Sequence, residues 1–165
     1  MTILGIDPGL AIVGYGVVDS LNNKLIARDY GTIETKAGTP TPERLDRLYV
    51  GMKQLLELFK PDIIAFEELF FYNNITTAMS VSEARGVLVL AAQQTLKPIY
   101  EFTPMQIKQA VTGYGHADKK QVQAMVRTLL TLKQTPKPDD AADALAAAIC
   151  MANTAGPLME LYRIK

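Results

Sequence analysis

One change of hydrophobic period, early in the chain, limits the fold more than any other feature of the sequence. Through residue 35 the apolar side chains come in strand-like runs, at about 2–7, 12–19 and 24–35, with the turn cluster "DSLNNK" between the second and third. Runs of this kind predict an antiparallel meander. The pattern then becomes helical. In "TPTPERLDRLYVGMKQLLELF", Leu45, Leu48, Met52, Leu55, Leu56 and Phe59 fall on one face. Thr41 is placed to cap this helix, Pro42 is its first helical residue, and Pro61 ends it. "DIIAFEE" reads as a short strand apolar on both faces, as in parallel sheets. A helix follows in "ITTAMSVSEARGVLVLAAQQTL", with Ala84, Val87, Leu88 and Ala91 on one face, and then a strand, "PIYEF".

Three helices close the pattern. "TPMQIKQAVTG" is capped by Thr103 with Pro104 first. "DKKQVQAMVRTLLTL" opens on an Asp118–Gln121 capping box and carries Val122, Met125, Val126, Leu129 and Leu130 on one stripe. "PDDAADALAAAICMAN" is Ala-rich, with Asp139 as its plain cap. Three strands followed by alternating helix and strand predict an α/β fold, a mixed sheet with helices on its faces.

A chain of 165 residues fits one domain, read as residues 1–156 with a C-terminal tail at 157–165. The longest apolar run, Ala144 to Ala152, is far short of the ~20 residues a membrane span needs. The N-terminus has no basic head or apolar h-region of a signal peptide. The single Cys150 lies in an apolar helical run and reads as a buried thiol in a reducing compartment. A cytoplasmic protein without a membrane partner is expected. Seventeen basic and seventeen acidic residues cancel, which does not advertise a nucleic-acid binder. The balance is uneven, however: residues 1–83 are net −4 and residues 84–165 net +4. Acids neutralised by bound cations would leave the remainder basic.

Two acids end strands. Asp7 closes the first, before Pro8-Gly9, where it serves equally as turn chemistry. Glu67 closes the fourth, and Glu68 points the other way by strand alternation. In open α/β sheets ligands bind beyond the carboxyl ends of strands. Asp140 and Asp143, three apart at a helix start, share one face. Acids at that position also simply complement the helix dipole. Small neighbours at Ala141, Ala142 and Ala144 let this helix end approach a sheet closely. Carboxylates about 3–5 Å apart would not all ionise without cations between them. Oxygen-only ligands favour hard ions such as Mg²⁺ or Mn²⁺, and two ions ~4 Å apart suit in-line attack on a phosphodiester.

"GIDPGLAIVGYGV", "IIAFEELFFYNN", "ARGV", "QIKQAVTGYGHADKKQVQAMV" and "DDAADALAAAI", in this order and spacing, resemble the RuvC Holliday-junction resolvases over residues 2 to 153. The resemblance implies an RNase H-like fold with a mixed five-stranded sheet and helices on both faces. It implies a homodimer that resolves four-way DNA junctions by paired, symmetric hydrolysis, with two Mg²⁺ per site and Mn²⁺ able to substitute. It assigns metal binding and catalysis to Asp7, Glu67, Asp140 and Asp143, and selects Glu67 over Glu68. Some members carry His where Asp140 stands. Phe70 matches an aromatic inserted at the junction crossover, core or dimer packing being its alternative; Phe71 and Tyr72 read as packing. Lys108 and Lys119 match basic positions near DNA, and Lys120 is a less specific match. Their alternative is a solvated surface charge. His116 reads as a loop residue and not a metal ligand. The helix at roughly 74–97 corresponds to a dimer helix. Cleavage leaving 5′-phosphate and 3′-hydroxyl ends, a short sequence preference and a branch-migration motor complex of RuvA and RuvB type are inherited expectations. Three rivals stand beside this reading: an RNase H-like nuclease acting on RNA/DNA hybrids, an actin-like nucleotide-binding domain, and a catalytically silent junction-binding module.

Overall fold

The computed structural model describes residues 1–22, 24–69, 75–154 and 156–164. Five strands form one mixed sheet: β1 (Thr2–Asp7), β2 (Ile12–Leu21), β3 (Lys24–Glu34), β4 (Ile63–Glu67) and β5 (Ile99–Phe102), in the order β3-β2-β1-β4-β5. The first three are the antiparallel meander, and β4 and β5 add parallel strands beside β1. Helices α1 (Thr41–Phe59) and α2 (Ile75–Gln93) lie on one face. Helices α3 (Pro104–Thr112), α4 (Lys119–Leu129) and α5 (Asp139–Asn153) lie on the other.

Strand alternation divides β1 between two cores. Leu4 and Ile6 are fully buried under α1 and α2, with Leu48, Met52, Leu56, Ala84 and Leu88. Ile3, Gly5 and Asp7 face α5. In β3, residue 28 is extra opposite β2: Val17 pairs Asp29 and Val18 pairs Ala27. Leu25 and Ala27 before this bulge, and Tyr30 after it, therefore all reach the α5 core.

Some boundaries and faces differ from the sequence reading. Pro40, not Thr41, is the N-cap of α1, Thr41 is already helical, and no side chain caps this helix. Its first backbone bond, Arg44 N–H to the Pro40 carbonyl, needs none. At its C-terminus Lys60 turns left-handed, ahead of Pro61. In α2, Ala92 joins Ala84, Leu88 and Ala91 in the core, while Val87 is only half-buried. Asp139 does not cap α5; Pro138 holds that position. The capping boxes at Thr103/Gln106 and Asp118/Gln121 are formed as read. Beyond α5, a 3₁₀ segment (Gly156–Tyr162) leads to Ile164, whose N–H donates to the Ile99 carbonyl. With Tyr162 against Phe102, this covers the outer side of β5.

Helix α5 is the centre of the α3–α4–α5 core, and the sheet is shaped to receive it. A Cβ on Gly5 would lie 2.0 Å from the Ala144 carbonyl oxygen, and one on Gly14 would lie 2.0 Å from that of Asp140. Only glycine allows backbone to meet backbone at such range. Alanines at 141, 142, 144, 146, 147 and 148, all fully buried, complete the contact from the helix side.

Candidate active site

The same close approach assembles the acids. Asp7 pairs with Gly14 across β1 and β2, and Gly14 lies directly beneath the start of α5 at Asp140. In the parallel pairing of β1 with β4, Gly5 stands opposite Ala65 and Ile6 opposite Phe66. One residue further along, the same register sets Glu67 beside Asp7. Ile63, Ala65 and Glu67 alternate onto the α5 face, whereas Glu68 falls past the strand end, its N–H donating to the Phe102 carbonyl. The register therefore brings Glu67, not Glu68, to Asp7.

Electrostatics marks the cluster. Burial first, and then the negative charges of Glu67, Asp143 and Asp140, raise the Asp7 carboxyl from 3.8 to about 8 against the pull of Lys119. Burial and Asp143 raise Glu67 to about 7, opposed by Lys108 and Lys119. Asp143 is also raised, first by burial, although Lys119 draws it down. Carboxylates this strongly opposed to ionisation are the donor set a hard cation satisfies. Among the described residues, no three already stand as ligands around one point.

Two lysines share the site. The capping box at Thr103 and Gln106 fixes the start of α3, and Lys108 lies one turn on. The box at Asp118 and Gln121 fixes α4, whose first residue is Lys119. The Lys119 ammonium lies 3.1 Å from an Asp143 oxygen and 3.4 Å from an Asp139 oxygen. Partial burial lowers its pKa, but its hydrogen bonds to and attraction by Asp143 and Asp139 prevail and hold it above its ordinary value. Lys108, Lys119, Glu67 and Asp143 line a cavity of about 220 Å³, floored by Ile107, Val122 and Ala146. Lys120 is exposed beside it, and no ion pair among the described residues holds it. His116 is an exposed loop residue, its ring 5.7 Å from that of Tyr114. Phe70, Phe71 and Tyr72 lie outside the described residues.

Asp139 is a participant that the sequence reading missed. Its carboxylate accepts from Gln123 Nε2 at 2.9 Å and pairs with Lys119 and with Lys137, at 3.6 Å. The Gln123 hydrogen bond, then Lys119, holds its pKa below the usual range. Its neighbour Asp140 carried no signal of this, because the contact depends on α4 packing against α5. Cys150 is buried as read, its thiol pushed up to about 12 by burial.

Sheet order, two-sided helices and acids gathered from two strand ends and one helix start define an RNase H-like α/β domain with a carboxylate site. A family model, "Crossover junction endodeoxyribonuclease RuvC", matches residues 3–151. The RuvC of Alkaliphilus metalliredigens is 55% identical over 165 residues, covering 100% of both chains. The structure of Thermus thermophilus RuvC superposes with a TM-score of 0.87 at 35% identity, covering 99% of this chain and 100% of that one. The T. thermophilus RuvC structure in complex with Holliday junction substrate gives a TM-score of 0.87 at 33% identity, with the same coverage. The chain belongs to the RuvC family of crossover junction endodeoxyribonucleases. That membership sets aside the actin-like alternative.

Proposed function

We propose that this chain is a structure-selective endonuclease that resolves four-way DNA junctions by symmetric hydrolysis of two opposed phosphodiesters. The observation that carries the reading is the whole-chain likeness to a relative whose structure holds Holliday junction substrate. The convergence of Asp7, Glu67, Asp140 and Asp143 supports the chemistry.

Those four acids would hold two Mg²⁺ ions, or Mn²⁺ in their place. When bound, such ions supply an activated water and a stabilised leaving oxygen. The protein's own part is to hold the acids together against their repulsion, which α5 does by resting on Gly5 and Gly14. Lys108 and Lys119, on the cavity wall, would bind and orient the scissile phosphate. Lys120 would add a weaker backbone contact, and Phe70, by its match to the family pattern, would enter the crossover.

Two opposed cuts need two sites, and a homodimer supplies them. Support comes from α2, where Met79, Gly86 and Leu90 form an exposed stripe, 67% exposed at Met79 and 56% at Leu90. A Cβ on Gly86 would meet nothing within 4 Å, which leaves room for a second helix. Arg85 Nε, 2.8 Å from Glu101, fixes α2 to β5 behind that stripe. A branch-migration motor of RuvA and RuvB type is the partner the family pattern implies. A cytoplasmic setting accords with the absence, among the described residues, of any helix long and apolar enough to cross a membrane.

The test is a comparison of substrates. With Mg²⁺, a mobile four-way junction should be cut and an RNA/DNA hybrid left intact. Preferential cleavage of the hybrid would move the chain to the rival nuclease class. Junction binding without cleavage would favour the silent module.

A further inference from the structure

A second basic site lies at the same end of the sheet as the acids, on the far side of β2. β3 ends at Glu34, and Thr35 then ties it to the loop that follows Asp7: its N–H donates to the Ala11 carbonyl, and its Oγ1 donates to the Leu10 carbonyl at 2.6 Å. Two arginines from the first turns of α1 are fastened here by one nitrogen each. Arg44 Nε donates to Thr35 Oγ1 at 2.8 Å, and Arg47 Nε donates to the Glu34 carbonyl. Among the described residues no carboxylate pairs with either guanidinium, so both keep their terminal nitrogens for another acceptor. Together with Lys36 and Thr39 they line an open groove of about 430 Å³. Glu34 and Glu43 also line it, so its three cations outnumber its carboxylates by one, and the Glu34 carboxylate accepts from Thr32 Oγ1.

An arginine held through Nε is preorganised: its fork is aimed before any ligand arrives, so less freedom is lost on binding. Two such forks and a lysine form a receptor for phosphate oxygens. Residues 1–83 are net acidic, which makes three cations gathered at this corner unusual for the half that holds them. The distance also fits. β3 is two strands from β1, about 10 Å at 4.8 Å per strand, so a DNA backbone that reaches the acids passes within a few nucleotides of this corner.

Resting on the nuclease reading, we infer that the groove at Lys36, Arg44 and Arg47 is a second DNA-phosphate site. It grips the backbone of a junction arm a few nucleotides from the scissile phosphate and sets its path across the sheet end.

The experiment measures junction affinity against salt in metal-free buffer, and then cleavage kinetics in Mg²⁺, for the full chain and for R44Q/R47Q. Each lost phosphate contact should lower the slope of log affinity against log salt by about 0.9. A fourfold rise in salt should therefore weaken the unaltered protein about tenfold more than the double variant. KM should rise while kcat at saturating junction holds, and Arg47→Lys should restore most of the slope. Lys24→Gln, which removes one charge at the opposite end of β3, is the surface-charge control and should leave the slope unchanged. If R44Q/R47Q does not fold, Lys36→Gln with Arg47→Gln carries the same expectation and leaves the Thr35 contact intact. An unchanged slope in the folded variant, or an equal fall in Lys24→Gln, overturns the second site. Failure of the unaltered chain to cut junctions at all overturns the nuclease reading instead.

Discussion

Asp7 has to be an anion where burial and three other acids resist anions. Below about pH 4 it and Glu67 are protonated in both the folded and unfolded chain and impose no penalty. Between there and about 7 for Glu67 and about 8 for Asp7, the unfolded chain has lost these protons and the folded one keeps them. The folded state binds more protons in that window, so the metal-free protein should lose stability as pH rises through it, by a few kcal/mol in all. Thermal melts in chelator should show Tm falling from pH 5 to pH 8.5, with Asp7→Asn flattening most of the slope. A Tm that rises over this range would refute the crowding. Mg²⁺ at pH 8 should restore stability to the unaltered chain and not to Asp7→Asn, because ion binding replaces the retained protons. Lys119 now offsets part of the repulsion from 3.1 Å. Lys119→Met should therefore destabilise the metal-free protein at pH 8, raise its affinity for Mn²⁺ in calorimetry, and still reduce cleavage by loss of a phosphate contact.

The elements hold these charges in place, and Gly14 is where that hold is most exposed. Gly14→Ala would drive a Cβ into the Asp140 carbonyl, which is helix backbone and cannot swing aside. The cost should be about 1–3 kcal/mol or more, measured by urea unfolding, and the Mg²⁺-induced rise in Tm should shrink because Asp140 is moved from Asp7. A similar Gly38→Ala change, at φ +83 with nothing within 4 Å, should strain its own turn and leave the Mg²⁺ response intact. Elements of this kind were largely legible in the sequence. Period change gave the meander and the helices, Thr103/Gln106 and Asp118/Gln121 gave two capping boxes, and strand ends pointed to Asp7 and Glu67. What escaped depends on tertiary packing. Pro40 and Thr41 compete for one cap, and local chemistry favours Thr41 until the Pro40 carbonyl is seen to accept from Arg44. Asp139 reads as a cap until Gln123 and Lys119 arrive from α4. Arg44 and Arg47 carry no signal of their own in the sequence, because their anchors on Thr35 and Glu34 lie on another element.

For the whole molecule, the sheet sets one carboxylate site between a cavity walled by lysines and an arginine-lined corner, and α2 presents Met79, Gly86 and Leu90, with Ser82 and Glu83 among them, on its exposed side. Leu90→Lys should leave monomer stability within about 0.5 kcal/mol, as exposed substitutions do, yet shift sedimentation from dimer to monomer and uncouple the two cuts. Sedimentation unchanged from the parent would place the dimer contact elsewhere. The central claim is that distant carboxylates meet to cleave DNA, and one measurement reaches it directly: product analysis on a synthetic four-way junction to which the parent chain and Asp7→Asn are first bound equally, before Mg²⁺ is added. The parent should release two symmetrically nicked duplexes and Asp7→Asn should keep the junction whole. Full-rate nicking by Asp7→Asn, or an intact junction with the parent, would contradict the account.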